Sequence, residues 1–221
     1  MKALLDVARE GGWLIVTSVS HERRNLFLRF ELFPAPAGRM PPAWLVSCRQ
    51  VREFSLTDFD GGGLNLWTKS HPLLSQFSSP KASLKIPIGG RTRAECIGTL
   101  FQTHRQLVDD WIEFERFVPA RVSLGPDPGS ITVAGPEFLL AAYQRRLEET
   151  GFRPHFKKHR RALYWSGFGW SERRHTVSLL HFGKSFIVAE SFSVESESTR
   201  HVRPNKRLQP SAAGAIMSRR G

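Results

Sequence analysis

One stretch limits the fold more than any other. Thr92-Arg-Ala-Glu95 is a capping box. The threonine hydroxyl can accept a hydrogen bond from the backbone N–H at the third helical position, while the glutamate reaches back to the cap amide. Behind it Ile97, Leu100, Phe101, His104, Leu107, Val108 and Trp111 recur at a 3.6-residue period. The spacing predicts a helix over about 93–116, closed before Pro119. Such a stripe must be buried against something, and the preceding chain is strand-like. Helix on sheet is the expectation.

The strand signals are alternation and β-branched or aromatic content. Trp13–Val19 and Asn25–Phe33 form a predicted hairpin, with Leu26, Leu28 and Phe30 on one side and Phe27, Arg29 and Glu31 on the other. Further strands are predicted at Trp44–Cys48, Val51–Leu56, Leu64–Thr68 and Ala82–Ile88, with a proline-rich loop over 34–42. The first fifteen residues read as a short amphipathic helix or an irregular lead-in. Gly135-Pro136 opens a second helix over about 136–150, with Pro136 at its first position and Leu139, Leu140, Tyr143 and Leu147 on its apolar face. Gly151-Phe152 closes it as a Schellman cap. Strands follow at Ala162–Phe168, Thr176–Phe182 and Ser185–Phe192, the last two joined by Gly183-Lys184 in a type II′ turn. The fold class is α+β: mainly antiparallel sheet in the N-terminal half, two amphipathic helices, a C-terminal β-hairpin and a disordered tail. Residues 1–195 read as a single domain. The Pro/Gly cluster of Arg121–Gly129 leaves open two halves, 1–120 and 130–195, and 196–221 reads as a disordered basic tail.

Composition excludes two classes. With 16 Phe and 6 Trp the chain carries too many apolar rings to be disordered throughout. Its uninterrupted apolar runs are a few residues long, against the roughly 20 that a spanning helix needs, so no membrane association is expected. The formal charge is +12, of which the tail from Ser196 holds +5. A basic surface attracts polyanions without selecting among them. Cys48 and Cys96 sit beside apolar neighbours, as buried free thiols do. No export signal is legible at the N-terminus. The expected compartment is a reducing cytoplasm.

The last 19 residues, Arg203-Pro-Asn-Lys-Arg-Leu-Gln-Pro-Ser-Ala-Ala-Gly-Ala-Ile-Met-Ser-Arg-Arg-Gly221, resemble a tail found on otherwise unrelated bacterial hypothetical proteins. That tail is apparently translated from a repeated downstream element. The resemblance implies a bacterial source and a tail without its own function.

Most chemical motifs fail on spacing. Gly183-Lys184-Ser185 lacks the earlier glycine and the following helix of a phosphate loop. Asp58-Phe-Asp60-Gly has Lys69 where a calcium loop needs a bidentate glutamate. His155 and His159 are four apart but are ringed by Lys157, Lys158, Arg160 and Arg161, which repel a dication. His104 reads as a hydrogen-bonded core histidine. Asp109, Asp110, Glu113 and Glu115 read as a solvated face, paired with the basic segment across the fold. No catalytic residue, metal site or cofactor emerges. The best candidate by chemistry is the segment 152–165, where Arg153, Lys157, Lys158, Arg160 and Arg161 alternate with rings ending in Trp165. Cations and stacking faces in that pairing hold nucleic acid. Arg173, Arg174 and His175 could extend the patch. Two functions are carried forward. One is a non-catalytic binding or interaction protein whose protein partner is unknown. The other is a nucleic-acid-associated protein, with non-specific binding, using 152–165.

Overall fold

Period-two burial along the strands sets the architecture. The structure, a computed structural model, describes residues 1–10, 13–33, 42–61, 63–119 and 129–197. The proline-rich loop, most of Arg121–Gly129 and the tail from 198 lie outside the described residues. In chain order the elements are α1 (Lys2–Arg9), β1 (Trp13–Glu22), β2 (Asn25–Phe33), β3 (Ala43–Ser55), β4 (Asp60–Gly61), β5 (Asn65–Trp67), α2 (Pro72–Ser78), β6 (Lys81–Pro87) and α3 (Arg93–Val108). A short 3-10 turn at Phe114–Arg116 follows. Then come β7 (Ser130–Pro136), α4 (Glu137–Glu149), β8 (His155–Lys158), β9 (Tyr164–Trp165), β10 (Trp170–Ser171), β11 (Ser178–Phe182) and β12 (Ser185–Glu197). The class is α+β with antiparallel sheets.

The large sheet has seven strands in the order β4-β1-β2-β3-β12-β11-β5. A second sheet runs β7-β6-β8, and β9 pairs with β10 as a small hairpin. Strands from 1–120 and 130–195 interleave in both sheets, since β3 pairs with β12 and β6 pairs with both β7 and β8. One face of the large sheet carries Leu28, Phe30, Val46, Leu180, Phe182 and Ile187, and α1 closes it with Leu4. On the other face Leu179 and Val188 join a core formed with α2, α3, α4 and the small sheet. Neighbouring residues of β11 and β12 therefore serve opposite cores, as the alternation of a strand requires.

Several elements differ from the sequence reading. The first long helix stops at Val108, where Asp109 takes φ 50°. Arg105 draws Asp109 and Asp110 to itself, and two acids at a helix C-terminus oppose its dipole. Asp109 and Asp110 thus pair within the helix end, and among the described residues none of the four acids pairs with the basic segment. The buried stripe is Cys96, Leu100, Thr103, His104 and Val108, while Phe101 and Leu107 are exposed. Pro136 is the N-cap residue of α4 and the last residue of β7, not the first helical one. The two strands expected at Trp44–Cys48 and Val51–Leu56 are one strand, β3, kinked at Gln50 with φ 52°. The strand expected over Ala162–Phe168 shrinks to two residues, and β12 continues through Glu197, opposite Ala43.

Local chemistry holds where its geometry was specific. Thr92 and Glu95 make both bonds of the capping box. Phe152 N donates to the Leu147 carbonyl and Gly151 N to that of Glu148, which is the Schellman pattern, with Gly151 at φ +85°. Gly183 takes φ 55° and Lys184 does not turn positive, as a type II′ turn requires.

Candidate functional site

The basic segment is split by its strand. In β8 the Phe156 side chain packs on the helical core, while His155, Lys157 and Lys158 are exposed. Lys158 pairs with Glu137 at 2.6 Å and Arg161 with Glu172 at 3.3 Å. Arg153, Lys157 and Arg160 are exposed. Trp165 is half-buried, edge-on to Trp170, with the Arg116 guanidinium over its ring. Its rings thus pack inward and its cations face water, so the structure does not interleave them on one surface. His155 lies on a strand, so its four-residue spacing to His159 does not put both on one helical face.

A different constellation forms where four remote pieces of chain meet. The β1–β2 turn supplies Arg23 and Arg24. The kink of β3 supplies Gln50 and Arg52. The segment from the β9–β10 turn onward supplies Ser166, Phe168, Ser171, Arg173 and His175, and β12 adds Glu190. The turn is pinned to the kink: Val51 N donates to the Arg24 carbonyl at 2.7 Å, and Gln50 N donates to Asn25 Oδ1 at 3.2 Å. Glu53 pairs with Val188 and Val51 with Ala189, so Arg52 is an extra residue with no ladder partner opposite it. Such a bulge re-aims a side chain.

Arg52 is directed into the protein and is only 7% exposed. Burying a guanidinium is costly unless an anion meets it. Glu190 Oε1 accepts from Arg52 Nη2 at 2.5 Å and from His175 Nδ1 at 3.0 Å. The Arg52–His175 edge of this triangle is also 3.0 Å, and the carboxylate is its acceptor corner. The hydrogen bond from Arg52 is the largest effect on the Glu190 carboxyl; burial opposes it, and with the further help of the His175 hydrogen bond the carboxyl is held below its ordinary range. Arg52 Nε is buried with no hydrogen-bond partner among the described residues.

Around this floor the cations are free. Arg23, Arg24 and Arg173 are exposed, and none has an acid at ion-pair distance among the described residues. The Arg24 guanidinium lies 5.3 Å from the centre of the Phe168 ring, which is 67% exposed. The β9–β10 turn approaches β3 so closely that a Cβ on Gly167 would meet the Arg52 carbonyl oxygen at 2.1 Å. Non-glycine residues at positive φ cluster here too: Arg23 at 55° and Gln50 at 52° are two of four in the described chain. Backbone strain of this kind persists where surrounding structure enforces it.

Sequence reasoning named Arg173 and His175 only as an extension of the basic segment, and missed Arg24, Arg52, Phe168 and Glu190. The legible signals were slight: two arginines in a hairpin turn, and a phenylalanine between two glycines.

The remaining polar groups are structural. His104 Nε2 donates to the Ile112 carbonyl at 2.5 Å, so its Nδ1 accepts from the Tyr143 hydroxyl at 2.7 Å. Burial lowers its pKa and keeps it neutral. Ser185 Oγ accepts from the amides of Thr57 and Asp58, and Asp58 Oδ2 accepts from Lys184 N. The glycine-lysine-serine and aspartate motifs thus lock one hairpin to the chain that follows β3. No helix among the described residues is long and apolar enough to cross a membrane. Comparison with protein-family models, curated proteins and solved structures finds no match.

Proposed function

We propose that this chain is a non-catalytic binding protein whose ligand is anionic and whose site is the cleft of Arg24, Arg52 and Arg173. One observation carries the reading: a guanidinium at 7% exposure forms the floor of a cleft whose exposed arginines lack acidic partners among the described residues. The basic compartment is about 530 Å³, within the roughly 300–1,000 Å³ range of small-molecule sites. With Arg52 and Glu190 neutralising each other, Arg24 and Arg173 leave uncompensated charge at its rim. Arginine forks suit phosphate and carboxylate oxygens. The two buried free thiols support a reducing compartment, in keeping with a bacterial cytoplasm.

The test is calorimetric titration of inorganic phosphate and pyrophosphate into the full chain at low salt. A charge-assisted hydrogen bond contributes about 1.5–3 kcal/mol, so Arg24→Ala or Arg173→Ala should weaken binding at least tenfold. Both side chains are exposed, and melting curves should not move. Absence of binding, or binding indifferent to both substitutions, overturns the reading. Binding of DNA or RNA abolished by Lys157→Glu with Arg160→Glu, but not by the cleft substitutions, would place the anion site on the segment 152–165 instead.

A further inference from the structure

The cleft has two arginine-lined compartments, one polar and one in which apolar side chains stand beside the arginines. The basic one holds Arg173, His175 and the two serines. The other, about 460 Å³, is lined by His21, Arg23, Val51 and Phe54. Arg24, Arg52 and Phe168 belong to both and form the wall between them. In the second compartment two phenylalanine rings stand in water, Phe54 at 50% and Phe168 at 67% exposure. Its one acid, Glu53, is already engaged by both terminal nitrogens of Arg116, at 2.8 and 3.0 Å.

We propose that the cleft binds a nucleoside monophosphate unit, with the phosphate among Arg24, Arg52 and Arg173 and the base against Phe168 and Phe54. The proposal rests on reading the cleft as an anion site. An inorganic anion would fill the basic compartment alone and leave two solvated rings beside it. A purely apolar ligand would leave Arg24 and Arg173 unmatched. A planar ring tethered to a phosphate uses both. Exposed aromatic faces stack on any base, and arginine adds a cation–π contribution. Arg24 already stacks on Phe168 at 5.3 Å, so charge and stacking face are adjacent.

The serines add a third match. Ser166 Oγ donates its proton to the Gly169 carbonyl at 2.8 Å, and Ser171 Oγ donates to that of Arg173 at 3.0 Å. Ser166 Oγ also accepts from Phe168 N at 3.4 Å, so Ser171 Oγ keeps its full acceptor capacity and Ser166 Oγ one lone pair. They cannot serve ionised phosphate oxygens, which only accept, but they can receive the hydroxyl protons of a sugar. Phosphate acceptors, sugar donors and a π-face together describe a nucleotide.

The experiment compares adenosine monophosphate, uridine monophosphate, inorganic phosphate and adenosine, each titrated into the full chain. A single-stranded oligonucleotide bearing a terminal phosphate is a further arm. The nucleotides should bind at least tenfold more tightly than phosphate, which is about 1.4 kcal/mol. Phe168→Ala should remove most of that advantage and leave phosphate affinity within about twofold. Phe54→Ala should act in the same direction if Phe168→Ala disturbs folding. An oligonucleotide that binds as well as the mononucleotides identifies the unit as a strand end. A preference for the mononucleotides identifies it as free. Nucleotides binding no more tightly than phosphate overturn this proposal and leave the anion reading standing, as does Phe168→Ala weakening both ligands equally. Failure of phosphate and nucleotides alike overturns both.

Discussion

Gly167→Ala offers a sharp perturbation of the cleft. The glycine sits at φ +92°, where a side chain costs about 1–3 kcal/mol. Its new Cβ would stand 2.1 Å from the Arg52 carbonyl oxygen and 2.9 Å from the carbonyl carbon, whereas real Cβ contacts essentially never fall below 3.0 Å. The obstacle is backbone, so it cannot rotate away. Relief requires the β9–β10 turn to lift by about 1 Å, which forfeits close packing against the bulge. The turn moves as a unit, because Ser166 N and Ser166 Oγ both bond the Gly169 carbonyl. Strain and lost packing together come to about 2–4 kcal/mol. With an m-value of about 2 kcal/mol/M, the urea midpoint should fall by about 1–2 M. The advantage of nucleotides over phosphate should fall as well, because Phe168 leaves its place. Gly169→Ala is the internal control, since nothing lies within 4 Å of its Cβ and its φ is not positive. It should stay within about 0.5 kcal/mol of the parent. Equal midpoints for the two variants would refute the close approach of the turn to β3.

Other positions are equally exposed to test. Tyr143→Phe leaves His104 Nδ1 buried without a donor, and should cost about 1–3 kcal/mol by denaturant unfolding. No loss would mean the pair does not exist. Because burial lowers the His104 pKa in the folded state, the unfolded chain binds the proton more readily. The stability it contributes is complete above its ordinary value of 6.5 and is lost as pH falls through its lower folded value. His104→Gln should flatten that part of the stability–pH curve, and an unchanged slope would contradict it. Glu190→Ala strands the Arg52 guanidinium beside His175, and should cost about 2–3 kcal/mol at neutral pH. In the parent this contribution is full above 4.5 and fades as pH falls through the depressed value of the Glu190 carboxyl. Burial pushes the Cys48 thiol up to about 12 and that of Cys96 to about 11, so a disulfide reagent should label neither until the chain is unfolded. Rapid labelling of the native protein would show that the cores are not closed.

What the sequence discloses depends on the range of the interaction. The capping box at Thr92 and the glycine closures at Gly151 and Gly183 need only neighbours within a few residues, and they stand in the structure as spaced. The end of α3 was misplaced because Trp111 fits the helical period, yet packs outside the helix between His71 and His181. The cleft was illegible for a deeper reason. Arg52 lies 123 residues from His175 and 138 from Glu190, and only strand pairing and a bulge bring them together. No local pattern marks a bulge whose extra residue is an arginine. The basic segment is the opposite case. Its cations are adjacent in sequence, but Phe156 and Trp165 pack against the core while Arg153, Lys157 and Arg160 are exposed.

The central claim is that anions bind at Arg24, Arg52 and Arg173. Heteronuclear NMR of the arginine Nε–H groups during a phosphate titration tests it directly. The Arg52 Nε–H is buried and unpartnered, so its signal should be protected from exchange and visible in the free protein. Phosphate should shift the signals of Arg24, Arg52 and Arg173 together and saturably, and leave those of Arg153, Arg160 and Arg161 in place. Shifts confined to the latter three, or no saturable shift at all, would contradict the assignment of the site.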